Sequence, residues 1–184
     1  MHEVSPLTQL TDDEQMLKEA AADFAKSSIG PLVHEMDEKA KLDPSLIKEF
    51  FEMGLMGIEV PEQYGGAGGT FMMSIVAIEQ ISKVDASAGV FMDVQNTLVN
   101  NAFINFGSEE LKVHYLPQLA SEKVGAYCLS EAGSGSDAFA LKTTAKEDGD
   151  HFILNGSKLW ITNANEADIF IVFANANPEQ GYKG

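Results

Sequence analysis

The chain has 184 residues, which allows one large domain or two small ones, and its 45% hydrophobic content is enough for a buried core. With 28 acidic and 12 basic side chains, the net charge of −16 argues against nucleic acid as a partner and gives no attraction to an anionic membrane. Because Cys128 is the single cysteine, no internal disulfide forms, and no apolar run approaches the roughly 20 residues that span a bilayer.

The first two thirds of the chain are predicted to be helical. Thr11 and Glu14 have the spacing of a capping box, and the helix that they begin is expected to end at Gly30-Pro31. The acidic opening segment has the features of neither a secretory signal nor a basic transit peptide. Asp43-Pro44 predicts the start of another helix, with proline at the first helical position.

The five-residue run Gly65–Gly69, which contains four glycines, interrupts this helical pattern. The run has no following Lys-Ser/Thr and does not have the G-x-G-x-x-G spacing, so we predict a flexible connection rather than a phosphate loop. After it, Thr70–Val84 is almost entirely apolar, and a helix that is hydrophobic all round is expected in the middle of a larger assembly. Asp85 and Ser108 are expected to cap two further helices.

Beyond Gly125 the hydrophobic period changes to that of strands. Ala126–Leu129 and Ile169–Ala174 have the composition of buried strands. His151–Leu154 and Ser157–Ile161 are predicted to pair as a hairpin around the Asn155-Gly156 turn. Helices first and strands second indicate an α+β fold, with a helical domain over residues 1–120 and a partial β domain over residues 121–184.

Two segments carry residues suited to holding a cofactor. Tyr127–Asp137 is a loop of small residues whose amides and hydroxyls suit a pyrophosphate or a flavin edge, although such a loop is usually only a turn. Lys158–Asn163 contains the single tryptophan, Trp160, beside the hydroxyl of Thr162. An indole there suits the face of an aromatic cofactor, and taken alone it equally suits a place in the core.

The order of these motifs resembles that of a known family. Tyr127–Asp137 and Asn155–Asn163 are similar to the paired flavin-binding signatures of the acyl-CoA dehydrogenases. Gly54–Gly66 and Tyr115-Leu116-Pro117 also fit that family. Its short/branched-chain members, which act on 2-methyl-branched substrates, are most similar at Lys83–Ser87, Gln95–Leu98, Ser136–Thr143 and Gly181–Gly184.

The resemblance implies a fold and a set of site residues. The fold is an all-α N-terminal domain followed by the first part of an antiparallel β-barrel-like domain, without the family's C-terminal helical domain. The residues implied to hold FAD are Tyr127, Cys128, Leu129, Ser130, Glu131, Ala132, Gly133, Ser134, Gly135, Ser136, Trp160, Ile161 and Thr162. Ser130 and Thr162 would place hydroxyls near the flavin ring, with Trp160 beside it, and Ser136 and Tyr182 would contact the substrate.

The implied activity is α,β-dehydrogenation of short/branched-chain acyl-CoA in fatty-acid and isoleucine catabolism. FAD takes the hydride, and electron-transferring flavoprotein takes the electrons. The family's catalytic glutamate lies in the C-terminal domain, so no catalytic residue is assigned here, and these residues alone are expected to be inactive. The resemblance also implies a homotetramer, located in the mitochondrial matrix of a eukaryote or the cytoplasm of a bacterium.

Other interpretations remain open at this point. The same scaffold serves acyl-CoA oxidases and flavin monooxygenases, and a chain of this length is also consistent with a non-catalytic fragment. The four histidines lack the spacing of metal ligands, so no metal site is predicted. Glu79 lies in an apolar helix where burial would favour its protonated form. By resemblance, Phe91, Met92 and Gln95 are hypothesised to form the floor of an acyl cavity.

Overall fold

The computed structural model describes residues 9–184, except for the side chain of Tyr182. The chain divides into two compact units, a helical one that ends at Lys123 and a second one that spans Val124–Gly184. The predicted order of helices first and strands second is confirmed. The α-helices are α1 Asp12–Phe24, α2 Val33–Lys39, α3 Pro44–Glu52, α4 Phe71–Ser82, α5 Ala86–Asp93, α6 Asn101–Phe106 and α7 Glu109–Ser121.

The predicted helix starts are confirmed by their hydrogen bonds. Thr11 Oγ1 accepts from the amide of Glu14 at 3.2 Å, and the Glu14 carboxylate accepts from the Thr11 amide at 2.9 Å. Asp43 accepts from the amide of Ser45 at 2.9 Å, with Pro44 at the first helical position. Each cap satisfies amide groups that have no partner inside the first helical turn.

Gly30-Pro31 does not end the first helical run, contrary to the prediction. A π-helical turn, Ala25–Ile29, follows α1, and a 3₁₀ turn, Gly30–Leu32, leads directly into α2. Proline is tolerated because it stands at the start of the new turn, where its missing N–H removes no hydrogen bond. The run ends instead at Ala40, whose left-handed φ of 48° terminates α2.

Aromatic side chains form the core of the helical unit. Phe50 on α3 is fully buried and lies between Phe24 of α1 and Phe91 of α5, at centroid distances of 5.2 and 5.6 Å. Offset and edge-to-face pairs of this kind stabilise by about 0.5–1.5 kcal/mol beyond the burial of area. α4 packs against α1 and α5, and Phe71 and Ile75 at its start are exposed in the single chain.

The long helix predicted after Asp85 contains a π-helical segment, Val94–Asn100, between α5 and α6. Its fully buried Asn96 accepts from the Ile58 amide at 3.0 Å and donates to the Leu55 carbonyl at 2.7 Å and that of Met92 at 3.0 Å. One side chain therefore satisfies the backbone of a loop that passes through the core.

The glycine-rich run is a packed loop and not the flexible connection that was predicted. The Gly68 amide donates to the Val60 carbonyl at 2.9 Å. A Cβ atom at Gly66 would lie 2.1 Å from that same oxygen, so the loop approaches the preceding segment too closely for any side chain there. The glycines are explained by close packing of backbone on backbone.

The second unit contains two small sheets. β1 Gly125–Cys128 pairs with β4 Ile169–Val172, and β2 Thr144–Asp148 pairs with β3 His151–Asn155. The β2–β3 pair is antiparallel, whereas β1 and β4 are parallel, with Ala126 opposite Phe170. Thr144 also forms an isolated parallel bridge with Asn175.

The predicted hairpin around Asn155-Gly156 is wrong. β3 pairs with the strand before it, through a turn at Gly149 and Asp150 in which Gly149 has a φ of 66°. Ser157–Ile161 is therefore free of β3 and reaches the end of β1 instead. Both glycine-containing turns are compatible with a hairpin, and the strand that pairs with β3 decides between them.

Candidate functional site

β1 delivers the first candidate segment to the surface of the second unit. Its residues are mostly buried, and the Tyr127 ring packs against Phe173 at 4.8 Å. Burial raises the pKa of the Cys128 thiol, an effect that Lys158 partly opposes. A buried, protonated thiol is a poor nucleophile, so this cysteine has a structural role in the strand.

A tight turn follows the strand. The amide of Glu131 donates to the Ser134 carbonyl at 2.9 Å, and the Ser134 amide donates back to Glu131 at 3.1 Å. The buried Ser134 hydroxyl donates to the carbonyl of Asp137 at 2.9 Å. Among the described residues, the amides of Ala132, Gly133, Gly135 and Ser136 in this loop donate to no backbone carbonyl. These amides are donors for an anionic ligand.

Two glycines of this loop are not required by the fold of the described residues. A Cβ atom at Gly133 or Gly135 would meet no atom within 4 Å, and neither residue has a positive φ. Their small size instead leaves open space beside the donor amides. This open space and the set of amide donors fit the close approach of a pyrophosphate group, as in FAD.

The second candidate segment meets the first. The amide of Leu159 donates to the carbonyl of Ser130 at 2.9 Å. Trp160 is the residue that follows Leu159 in the chain. Downstream, Asn163 is buried with a left-handed φ of 67°, and its side-chain amide donates to the Gly125 carbonyl at 3.2 Å. The segment is therefore attached to both ends of β1.

An ion pair strengthens this junction. Lys158 Nζ lies 2.7 Å from Glu131 Oε1 and donates to the Leu129 carbonyl at 3.1 Å. The carboxylate also accepts from the amides of Lys142 and Thr143, at 2.6 and 3.0 Å. These hydrogen bonds, first that from Lys158 and next that from the Thr143 hydroxyl, lower the pKa of Glu131 from 4.5 to about 2.

Trp160 does not fill the core. Its side chain is 95% exposed, and its backbone has a left-handed φ of 57°. This conformation costs a bulky residue about 1 kcal/mol, and no burial of the indole offsets that cost. The interpretation of Trp160 as a core tryptophan is therefore wrong, and its exposed ring remains open to a ligand.

For the remaining predicted residues the structure gives the degree of burial. Ser130, Ile161 and Thr162 are half-buried, whereas Ser136 is exposed. The side chain of Tyr182 lies outside the described residues. The Glu131–Lys158 pair was missed from the sequence, where its only signal is two opposite charges in the two candidate segments.

The polar candidates in the helical unit have partners inside that unit. Glu79 is exposed rather than buried, and its carboxylate lies 3.3 Å from Lys83 Nζ. Gln95 is fully buried, and its amide donates to the carbonyls of Leu119 and Lys123 at 2.8 and 3.1 Å. The side-chain amide of Gln95 therefore ties the end of α7 to the core.

Phe91 and Met92 are buried in the same core.

No group of three potential metal ligands occurs among residues 9–184. In that same range no helix is both long and apolar enough to cross a membrane.

Comparison with known proteins identifies two consecutive matches. The profile of the acyl-CoA dehydrogenase N-terminal domain matches residues 11–123, and that of the middle domain matches residues 126–184. The chain is 49% identical over 180 residues to the short/branched chain specific acyl-CoA dehydrogenase, mitochondrial, of Rattus norvegicus, covering 98% of this chain and 42% of the relative. It is 53% identical to a probable short/branched chain specific acyl-CoA dehydrogenase of Dictyostelium discoideum, covering 98% and 44%.

Solved structures have the same fold over nearly the whole chain. Butyryl-CoA dehydrogenase from Megasphaera elsdenii superposes with a TM-score of 0.89 at 36% identity, covering 94% of this chain and 46% of that one. A glutaryl-CoA dehydrogenase from Mycobacterium smegmatis in complex with FADH2 gives 0.86 at 34% identity, covering 91% and 44%. The chain thus spans less than half the length of the proteins that it matches.

Proposed function

Since the chain belongs to the acyl-CoA dehydrogenase family, as its motifs predicted, we propose that its natural protein dehydrogenates short or branched acyl-CoA thioesters at the α and β carbons. The family consists of FAD-dependent oxidoreductases. The identities of 49% and 53% to short/branched-chain enzymes support this substrate class. Electron-transferring flavoprotein is the proposed electron acceptor, and isoleucine and fatty-acid catabolism are the proposed pathways.

The second unit is proposed to hold FAD through Tyr127–Ser136 and Trp160–Thr162. The free amides of Ala132, Gly133, Gly135 and Ser136 are suited to the negative pyrophosphate. The hydroxyls of Ser130 and Thr162 are proposed to hydrogen-bond the flavin ring, and the exposed indole of Trp160 to cover part of it. When bound, FAD supplies the hydride acceptor, while the protein positions it and excludes water.

Substrate contacts are proposed at Ser136 and Tyr182. Abstraction of the α proton needs a carboxylate, and we assign that role to no residue of this chain. A homotetramer is the proposed assembly. The matrix of mitochondria is the proposed location in a eukaryote, in keeping with the mitochondrial relative from rat, and the cytoplasm is proposed in a bacterium.

One observation carries the proposal: the Leu159–Ser130 hydrogen bond brings the exposed Trp160 next to a loop of free amide donors. Neither the indole nor the two open glycines have a role in the packing of the described residues. A ligand with both an aromatic ring system and a pyrophosphate accounts for the exposed indole, the open glycines and the free amide donors together.

The test uses the natural protein that carries this sequence, expressed at its full length. We expect it to purify with FAD and to be reduced by 2-methylbutyryl-CoA or butyryl-CoA. Electron-transferring flavoprotein should then reoxidise the flavin much faster than oxygen does. Rapid reoxidation by oxygen would instead identify an acyl-CoA oxidase or a monooxygenase, and failure to bind FAD would identify a non-catalytic protein.

A further inference from the structure

We propose that Glu131 and Lys158 are a positioning pair that fixes the spacing between the two cofactor-holding segments, an inference that rests on the proposed function. Neither residue needs to touch the cofactor for this role. The pair acts through Ser130 and Leu159, its immediate neighbours in the chain, whose backbones hydrogen-bond to one another at 2.9 Å.

The geometry joins three separate stretches of chain at one carboxylate. Lys158 Nζ contacts Glu131 Oε1 at 2.7 Å and also reaches back to the Leu129 carbonyl at 3.1 Å. The other oxygen, Glu131 Oε2, accepts from the Lys142 amide at 2.6 Å. The carboxylate accepts four hydrogen bonds in all, two of them from Thr143. A change in the position of one segment therefore breaks contacts to the other two.

Burial indicates that the pair specifies geometry more than it adds stability. The side chains of Lys158 and Glu131 are only 11% and 7% exposed. Removing two charges from water is costly, and a buried pair often stabilises no more than apolar residues of the same size. Such a pair does require one arrangement of its partners, because displaced charges would lose their hydrogen bonds without regaining water.

Thr143 is the third part of this arrangement. It is 4% exposed, and its amide donates to Glu131 Oε1 at 3.0 Å. A Cβ atom at Gly156 would lie 2.3 Å from the Thr143 hydroxyl oxygen, so the chain just before Lys158 passes directly over this residue. The second segment is therefore held by two contacts: the packing of Gly156 against Thr143, and the ion pair between Lys158 and Glu131.

The test compares Lys158→Met and Lys158→Arg in the full-length natural protein. Lys158→Met keeps the length and packing of the stem and removes the charge. We expect it to weaken FAD binding about tenfold or more, and to change the visible circular dichroism of the flavin even at saturating FAD. Lys158→Arg should restore most of the affinity, because a guanidinium also pairs with a carboxylate. Lys146→Met, on exposed β2, is the matched control and should change neither property.

A second readout needs no cofactor. The amide of Leu159 should exchange with deuterium about tenfold faster in ligand-free Lys158→Met than in the wild type, because its bond to Ser130 opens more often. A loss of stability alone would raise exchange by a similar factor at every protected amide of the unit, whereas the positioning role predicts a further increase at Leu159. Should Lys158→Met fail to fold, Thr143→Val takes its place, with a smaller increase expected at the same amide.

The outcomes are distinct. Suppose that the wild type binds FAD and that Lys158→Met leaves FAD affinity, flavin dichroism and Leu159 exchange unchanged. That result would overturn the positioning role alone. Unchanged Leu159 exchange in Thr143→Val would do the same if Lys158→Met does not fold. A wild type that does not bind FAD would overturn the proposed function, and the positioning role with it.

Discussion

The amide nitrogen of Leu159 lies 2.9 Å from the carbonyl oxygen of Ser130, joining the end of a buried strand to a segment that has no regular secondary structure. This bond holds the two segments of the candidate site together. On one side of it lies a turn with free amide donors, and on the other an indole that is 95% exposed. Two stretches that are far apart in sequence become one candidate surface for a flavin nucleotide.

Replacing Trp160 by alanine should affect the ligand and not the fold. The indole buries almost no surface, so Trp160→Ala should change the free energy of unfolding of the FAD-free protein by no more than about 0.5 kcal/mol. Loss of a ring that stacks on the cofactor should weaken FAD binding about tenfold. Denaturant unfolding and a flavin fluorescence titration measure the two effects. A large loss of stability without FAD would show that the indole is part of the core.

Alanine at a glycine of the Gly65–Gly69 loop and alanine at a glycine of the Tyr127–Asp137 loop should differ in their effect on stability. Gly66→Ala should destabilise the protein by about 2 kcal/mol or more, because its Cβ would lie 2.1 Å from the Val60 oxygen. Gly133→Ala meets open space and should leave the free energy of unfolding within about 0.5 kcal/mol of the wild type.

The same Gly133→Ala variant should bind FAD less tightly, by about tenfold, because the added methyl group occupies the approach to the donor amides. Isothermal titration of each folded variant with FAD provides the measurement. Equal FAD affinity in the wild type and Gly133→Ala would place the pyrophosphate elsewhere.

Asn96 should be among the most sensitive positions of the helical unit. Asn96→Ala leaves the Ile58 amide and the carbonyls of Leu55 and Met92 without this partner inside the core. We expect a loss of about 2–4 kcal/mol in the free energy of unfolding. Asn105→Ala, which removes an exposed amide that donates to the Asn101 carbonyl, is the control and should cost less than about 0.5 kcal/mol. Urea unfolding followed by circular dichroism compares the two.

Acid should remove the contribution of Glu131 to stability. Its pKa is lowered in the folded state to about 2, so its stabilising effect is fully present above the ordinary value of 4.5. That effect is lost as the pH falls from 4.5 toward 2, where the folded protein also takes up the proton. At about pH 7, Glu131→Gln should be less stable than the wild type by about 1–3 kcal/mol, and the difference should shrink at about pH 3.

Urea unfolding of both proteins across this pH range gives the comparison. Glu147→Gln, which changes an exposed carboxylate on β2, should show no such trend. If the stability difference between the wild type and Glu131→Gln stays constant down to about pH 3, the carboxylate is not held ionised by its partners.

Helix starts were read correctly from the sequence. Thr11 with Glu14, and Asp43 with Pro44, predicted helix starts because a cap and the amides that it satisfies lie within four residues of each other. The strand predicted at Ala126–Leu129 from its short apolar run lies one residue earlier, at Gly125–Cys128. The family resemblance, carried by the order of the motifs, is confirmed by both profile matches.

Long-range relationships were not predictable in the same way. Asn155-Gly156 and Gly149-Asp150 are both adequate turns, and only the partner available to β3 selects the second one. Gly65–Gly69 has the composition of a flexible linker, but its backbone bonds to a segment that passes beneath it. In both places local propensity allows several conformations, and tertiary contacts choose one.

The sequence by itself determined where most helices begin, that strands follow them, and which two segments carry cofactor-type residues. Only the tertiary structure decided that Ser130 and Leu159 share a hydrogen bond, that Glu131 pairs with Lys158, and that Trp160 faces outward. The physical reason is distance along the chain. Caps and periodicity act within a few residues, whereas a buried ion pair forms only after the whole unit has brought its two charges together.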